Sequence, residues 1–363
     1  MTENPKVSTH PNKQLGICIP AYHRPDQLER CLLSVIAAAK EFSVPTFVTD
    51  DAEDFANRSV IEKIKRHYPF LVYYKNPRRL GLEHNILNAA TKCTAEYCWL
   101  LGEDDRMEPE AIATVLRALQ EATEPPLFLF VNYRYVDANI SRVLRERVLP
   151  VCKDTCISSD IFLQRYSWAM GFLGSCIFQR QLLTQADANA YLGTHFVHVG
   201  FIMESIAGKA VIVIAEPLVR NRVGGAEVFS WSEHCWDVFH GWDVMIDRLA
   251  AHYPPEVCNE AKNAFHRAMG IGTLRFLCAR RADGLYHISY LRHSSLLRSQ
   301  WRGSKRLGAF LIALTPPFVF KLAKGFVELQ RKFRCRSIED VPRFPEKDPG
   351  RDPAFNEIAH KEV

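Results

Sequence analysis

The feature that most restricts this chain is the regular alternation of short apolar runs and helix-period segments over residues 15–136. Strands are read at 15–20, 46–49, 70–74, 97–101 and 127–136, and helices at 25–40, 57–67, 82–93 and 107–122. Pro25 suits a first helical turn, and Leu28, Cys31, Leu32 and Val35 then share one face. Asn57 is read as the cap of the second helix. Strands separated by single helices pair in parallel, so the expectation is an α/β fold: a Rossmann-like, mostly parallel sheet with helices on both faces.

Chemistry is concentrated where the runs end. The first stops at Pro20, Ala21, Tyr22, His23 and Arg24, the second at Asp50 and Asp51, and the fourth at Gly102, Glu103, Asp104 and Asp105. A structural sheet does not need polar groups at three strand ends, whereas a ligand-binding carboxyl edge does. Three consecutive carboxylates are costly to hold together unless a cation shares them. Two readings stand: a hard divalent ion, Mg²⁺ or Mn²⁺, bridging the cluster to a diphosphate, or an acidic start to the next helix. Asp50 and Asp51 have the same pair of readings, ligand binding or helix capping, and Tyr22 is read as ligand-lining or core packing.

Beyond residue 137 the alternation weakens. An antiparallel strand is read at 143–151, a helix at 158–166 capped by Ser158 or Ser159, a strand at 176–178, a helix at 196–207 and a strand at 211–215. Residues 220–225 form a basic glycine loop, and 231–251, 256–280 and 285–298 are helical in period. Charge is unevenly spread: between 291 and 336 eleven Lys and Arg side chains face only Glu328. Within that span, residues 307–320 are almost wholly apolar, broken by Thr315, Pro316 and Pro317. This is shorter than the roughly 18 residues of a spanning helix. It suits an interfacial segment with cations on anionic headgroups, or a core hairpin with a basic outer face. Phosphate contacts to nucleic acid do not require such an apolar run, so no nucleic-acid partner is expected. Eleven scattered cysteines without a Cys-x-x-Cys pair, and no apolar leader, read as reduced thiols.

The quoted stretches, 17–24, 49–51, Asn76 with Gly81 and Asn85, and 100–105, resemble family 2 glycosyltransferases of the GT-A fold, in particular the abequosyltransferase-like bacterial O-antigen branch. Residues 171–178 resemble the acceptor-side Gly-Ser strand of that family. The resemblance implies inverting transfer of a sugar from a nucleotide-diphosphate donor with a divalent metal. By family position, Pro20, Tyr22, Arg24, Asp50, Asp51, Asn76, Gly81, His84, Asn85 and Glu103 border the donor, with Arg222 a candidate for diphosphate neutralisation. Asp105 and Asp104 are the metal candidates, and Asp104 also counts among the catalytic ones. Two positions depart from the family pattern. Gly102 stands where the motif Asp-x-Asp-Asp has its first acid, and His84 stands where relatives carry Arg. The acceptor-side helix lacks an acidic base at its start, leaving His198 and, further along, Glu204 as the candidates.

The expected organisation is a disordered segment 1–14, a GT-A domain 15–225 (donor half 15–137, acceptor half 138–225), a helical region 226–336 with membrane-associating segment 303–336, and a disordered tail 337–363. The implied acceptor is a lipid-diphosphate-linked glycan at the cytoplasmic face of a bacterial membrane. The alternatives are a sugar nucleotidyltransferase, which the glycine-free turn 20–25 disfavours, and a non-catalytic membrane-surface scaffold.

Overall fold

The structure is a computed structural model describing residues 11–223, 234–271, 273–293 and 303–323. The expectations for residues 1–10, for Gly224 and Gly225, and for 324–363 lie outside the described residues. The chain divides into two compact units, residues 1–229 with 237–262, and residues 230–236 with 263–363.

In the first unit the order is β1 (Leu15–Ala21), α1 (Pro25–Ala38), β2 (Thr46–Asp50), α2 (Ala56–Lys65), β3 (Leu71–Lys75), α3 (Leu82–Lys92), β4 (Tyr97–Leu100), β5 (Arg106–Met107), α4 (Ala111–Glu121) and β6 (Phe128–Val136). Then come β7 (Val143–Arg145), β8 (Thr155–Ser158), α5 (Ser159–Arg165), β9 (Cys176–Gln179), α6 (Leu182–Gln185), α7 (Val197–Ser205), β10 (Ala210–Arg222) and α8 (Cys235–Leu249). The main path of the sheet is β3-β2-β1-β4-β9-β6-β10-β5.

Strands β3, β2, β1 and β4 are parallel neighbours, as the alternation predicts. The chain steps outward from β1 to β2 to β3 and then jumps back across β1 to β4. Right-handed crossovers therefore put α1 and α2 on one face and α3 on the other. The helix contacts agree: α1 meets α2 and α4, whereas α3 meets α7. The reversal between β1 and β4 is the place where an open α/β sheet leaves a crevice at its carboxyl edge.

The second half corrects the expectation of a mostly parallel sheet. Strand β9 runs antiparallel to both β4 and β6, and β5, β7 and β8 are antiparallel edges; only the β6–β10 pair is parallel. The strand read at 143–151 is confined to Val143–Arg145, and a short strand replaces the first turn read for α4. Asn57 does not cap α2; it is buried, and its Nδ2 donates to Asp50 Oδ1 at 3.0 Å. Ser158 does cap α5, accepting from the Ile161 amide.

The largest departure is β10, which continues past Ala215 to Arg222. Pro217 hides this continuity, because proline is tolerated within a sheet at an irregularity. The register with β6 slips between Ile214 and Val219. Fully buried Asn132 absorbs the slip. Its Nδ2 donates to Leu149 O and Ala215 O, and its Oδ1 accepts from the amides of Tyr133, Val148 and Leu149. Beyond the irregularity β10 delivers Arg220 and Arg222 to the carboxyl edge, so the basic loop read at 220–225 begins as strand.

In the second unit, the helices Leu274–Ala282, Ile288–His293 and Ser304–Leu314 enclose a small core of Leu277, Tyr286, Ala309, Ile312 and Ala313. The helical reading of 256–280 is broken between Pro255–Met269 and Leu274–Ala282, at Gly270, whose φ is +70°.

Candidate active site

The crevice between β1 and β4 is closed by hydrogen bonds from both sides. The Tyr22 amide donates to Glu103 Oε2 at 2.8 Å, and Leu101 N donates to Cys18 O at 3.0 Å. Arg24 Nη1 lies 3.0 Å from Asp104 Oδ2, and Arg222 Nη2 approaches the same oxygen at 2.9 Å. One carboxylate oxygen is thus held between guanidiniums from β1's end and β10's end. Behind this layer, Arg220 forms a two-point pair with Glu108 at 2.9 and 2.8 Å, to which Arg134 adds its Nε.

Burial controls the electrostatics. Desolvation pushes the Glu103 carboxyl up to about 8, against the Tyr22 amide and the Arg24 charge, which pull it down. Asp105, buried at 5% exposure, is raised well above the usual carboxylate range by desolvation and then by the neighbouring Asp104 charge. Both shifts arise mainly from burial, so these two carboxyls favour the protonated form unless a cation is supplied. Gly102 explains how the acids fit. A Cβ at this position would collide with Asp105 Oδ2 and lie 3.5 Å from Asp104 Oδ1. Two carboxylate oxygens from consecutive residues converge on the space that a side chain at 102 would fill. That all-oxygen donor set suits a hard divalent cation.

The wall beyond β2 has a different character. Asp50 is fully buried and accepts from Ala52 N, Asn57 Nδ2 and Tyr73 OH, with Lys75 at 3.3 Å. All its accepting capacity is used by the fold, which corrects the expectation that it meets ligand. Asp51 takes Asn76 Nδ2 and Leu80 N on one oxygen and Gly81 N on the other. It organises the turn into α3, where Gly81 has φ +85° and needs glycine. Asn85 ties two strand ends together, donating to Ala21 O and Thr49 O and accepting from Asn76. Pro20 is a buried β1 residue opposite Thr49. Tyr22 is half-buried, with the Arg79 guanidinium 4.9 Å above its ring. Arg79, which sequence reading did not single out, puts a cation on this rim. His84 is exposed on α3.

The base candidates need correction. His198 is 2% exposed and its Nε2 lies 2.8 Å from Met170 O. Burial drives its pKa down to about 4, with the Met170 carbonyl opposing the shift. An interior imidazole with its ring nitrogen on a carbonyl cannot meet an acceptor hydroxyl. Glu204 sits in the last turn of α7, not the first, and accepts from Tyr191 OH at 2.6 Å. Sequence reading did not single out His195. It is half-exposed, lies two residues before α7, and has a left-handed backbone at φ +67°. Strained non-glycine backbone clusters at functional sites. The loop carrying it is tied to the start of α3 by Glu83 Oε2, which accepts from Gly193 N at 2.7 Å. A left-handed histidine leaves no signature in sequence, whereas a helix-period histidine such as His198 does.

His198 gives a stability prediction. Its folded pKa is depressed below the ordinary 6.5, so the unfolded chain takes the proton first as pH falls. Its contribution is present above pH 6.5 and is lost on acidification toward pH 4, by about 3 kcal/mol. His198→Gln keeps a donor for Met170 O and does not titrate. Urea unfolding between pH 7 and 4 is expected to show a shallower acid loss for this variant.

Comparison with known proteins agrees with this geometry. Residues 16–183 match the family model for glycosyl transferase family 2. That stretch, 16–183, is similar to family 2 glycosyltransferases. Abequosyltransferase RfbV of Salmonella typhimurium is 26% identical over 226 residues, covering 57% of this chain and 66% of that protein, just under two thirds of its length. S. aureus TarS 1–349 superposes with a TM-score of 0.53 at 14% identity, covering 86% of this chain and 92% of that one. TarS 1–349 in complex with UDP-GlcNAc gives 0.51 at 14% identity, over 83% and 82%. At such identity the likeness speaks to the fold, which is α/β and GT-A-like with a mixed sheet. The family 2 match ends near α6, so β10 with Arg220 and Arg222 lies beyond it.

Proposed function

We propose that this family 2 glycosyltransferase moves a sugar, with inversion, from a nucleotide-diphosphate donor to a lipid-diphosphate-linked glycan in bacterial surface polysaccharide assembly. The observation that carries the reading is the convergence of Asp104 and Asp105 oxygens over Gly102 at the β1/β4 switch point, with Arg24 and Arg222 on the outer oxygen of Asp104. The name of the Salmonella relative and the UDP-GlcNAc bound to TarS support a nucleotide-sugar donor. Asp104 and Asp105 would hold Mg²⁺ or Mn²⁺, which when bound neutralises charge on the diphosphate. Arg24 and Arg222 supply further positive charge at the same place, where negative charge grows as the anomeric carbon–oxygen bond breaks. Tyr22 and Arg79 offer the nucleoside a flat, cationic rim, and Asp51, Asn76 and Asn85 keep that wall rigid.

His195 takes the proton of the acceptor hydroxyl as its oxygen bonds to the anomeric carbon. Glu83 holds the loop that carries it. His195→Asn is expected to lower kcat by about a hundredfold to ten-thousandfold, whereas His198→Gln stays within about threefold of wild type. Transfer from radiolabelled nucleotide sugars to a membrane lipid extract measures both. An unchanged His195→Asn rate would return the base to another group.

The second unit supports a membrane-borne acceptor. Helix Ser304–Leu314 buries Ala309, Ile312 and Ala313, yet Leu307, Phe310, Leu311 and Leu314 on its other side are exposed. Phe318 and Leu322 extend the exposed stripe along Pro317–Ala323, which is bent 99° from the first helix. Among the described residues no single helix is long and apolar enough to cross a membrane; this bent pair meets the length and composition together. This apolar bent pair, with Lys305 and Arg306 near its start and Lys321 near its end, suits an anionic bilayer surface. Flotation with phosphatidylglycerol vesicles is expected to carry the wild type upward and to leave Leu307→Asp/Leu311→Asp behind. A wild type that ignores the vesicles contradicts the reading.

A further inference from the structure

A second constellation lies on the α3 side of the sheet, away from the carboxyl edge. In the β1–β4 register Gly16 is opposite Cys98 and Cys18 is opposite Leu100. Alternate residues share a face, so Cys18 and Cys98 point to the same side of adjacent strands. Helix α3 covers that side, and the residue that ends it is Cys93. The Cys93 sulfur lies 2.7 Å from the position a Cβ on Gly16 would take, so the glycine makes room for it. The three Sγ atoms all fall within 4.8 Å of one another, and each residue is at most 2% exposed.

We propose that Cys18, Cys93 and Cys98 form a site for a soft monovalent cation, Cu(I), in trigonal three-sulfur coordination. Metal–sulfur bonds of about 2.3 Å space three sulfurs by about 4 Å, inside the observed span. Thiol sulfur selects soft ions and rejects Mg²⁺ and Mn²⁺. Among the described residues no His, Asp or Glu joins the trio, so tetrahedral Zn²⁺ lacks its fourth protein ligand.

Binding displaces the protons of the coordinating thiols to solvent and transfers no electron. Beside their contacts with one another and a backbone hydrogen bond to Cys93 from Ala95, the thiols have long contacts to carbonyls, Cys93 to Tyr97 O at 3.9 Å and Cys98 to Ala90 O at 3.7 Å. Cys93 lies in the turn between α3 and β4, beside exposed Thr94 and Glu96, so it is the member of the trio nearest an exposed turn in sequence.

The test is anaerobic competition for Cu(I) against bicinchoninate, followed by absorbance, with thermal unfolding in parallel. Exposed Cys152 and Cys156 are competing soft ligands, so the full-length chain carries Cys152→Ser and Cys156→Ser throughout. The expected result is one retained equivalent of Cu(I), a higher Tm with the metal, and at least hundredfold weaker retention in Cys93→Ser. Cys98→Val fills the same buried volume, so it serves if Cys93→Ser does not fold, and it is expected to lose the equivalent as well. Failure to retain one equivalent, or equal retention in a folded Cys93→Ser or Cys98→Val, overturns the proposal. Neither outcome depends on donor binding at the carboxyl edge.

Discussion

Gly102→Asp is expected to lower transfer activity by about a hundredfold or more, although it restores the first acid of the family motif. A side chain at 102 occupies the space that Asp105 Oδ2 already fills, with Asp104 Oδ1 close by. Asp105 is buried and cannot swing into solvent, so the new group must displace it or distort the turn that follows β4. A fourth carboxylate beside Glu103, Asp104 and Asp105 adds repulsion. Gly102→Ala, which carries the steric part alone, is expected to lose most of the same activity. Mn²⁺ affinity, read by electron paramagnetic resonance of the free ion, should fall in both variants. A gain of activity in Gly102→Asp would mean that the missing acid, and not the space, is what this chain lacks.

Asn132→Leu is expected to cost about 4 kcal/mol or more, from several buried backbone groups left unsatisfied at 1–3 kcal/mol each. The side chain supplies two donors and one shared acceptor to five backbone groups where β10 slips against β6. No apolar residue of that size can replace them. Urea unfolding measures the loss. The same change should reach the active site, because Arg222 is carried by the strand beyond the slip. Under conditions where the variant is folded, its kcat/KM should still be reduced at least tenfold, by loss of the Arg222–Asp104 pair. Destabilisation without any change in kcat/KM would separate Arg222 from the chemistry.

What could be read in the sequence was what depends on local pattern. Period and turn residues placed β1 to β4, the helices between them, and the acidic end of β4, because each is encoded within a few residues. The second half was harder for a physical reason. Its strands pair antiparallel across long separations, and β10 contains Pro217, which reads as an end and is accommodated only because Asn132 supports the irregularity. The donor wall was half legible. Asp50, Asp51, Asn76 and Asn85 were all marked, but their type does not reveal that Asp50 serves the backbone and neighbouring side chains completely. His195, proposed above as the base, was not legible because its position depends on a left-handed turn, while His198, read from its place near the start of the acceptor-side helix, points into the core.

Titration of UDP, CDP, GDP and dTDP into the full-length protein, with and without Mn²⁺, tests the central claim most directly. One of these diphosphates is expected to bind in a Mn²⁺-dependent manner, with affinity lost in Asp105→Asn. Binding that is indifferent to Mn²⁺ and to Asp105, or no binding under either condition, would contradict it and reduce the acidic cluster to the start of a helix.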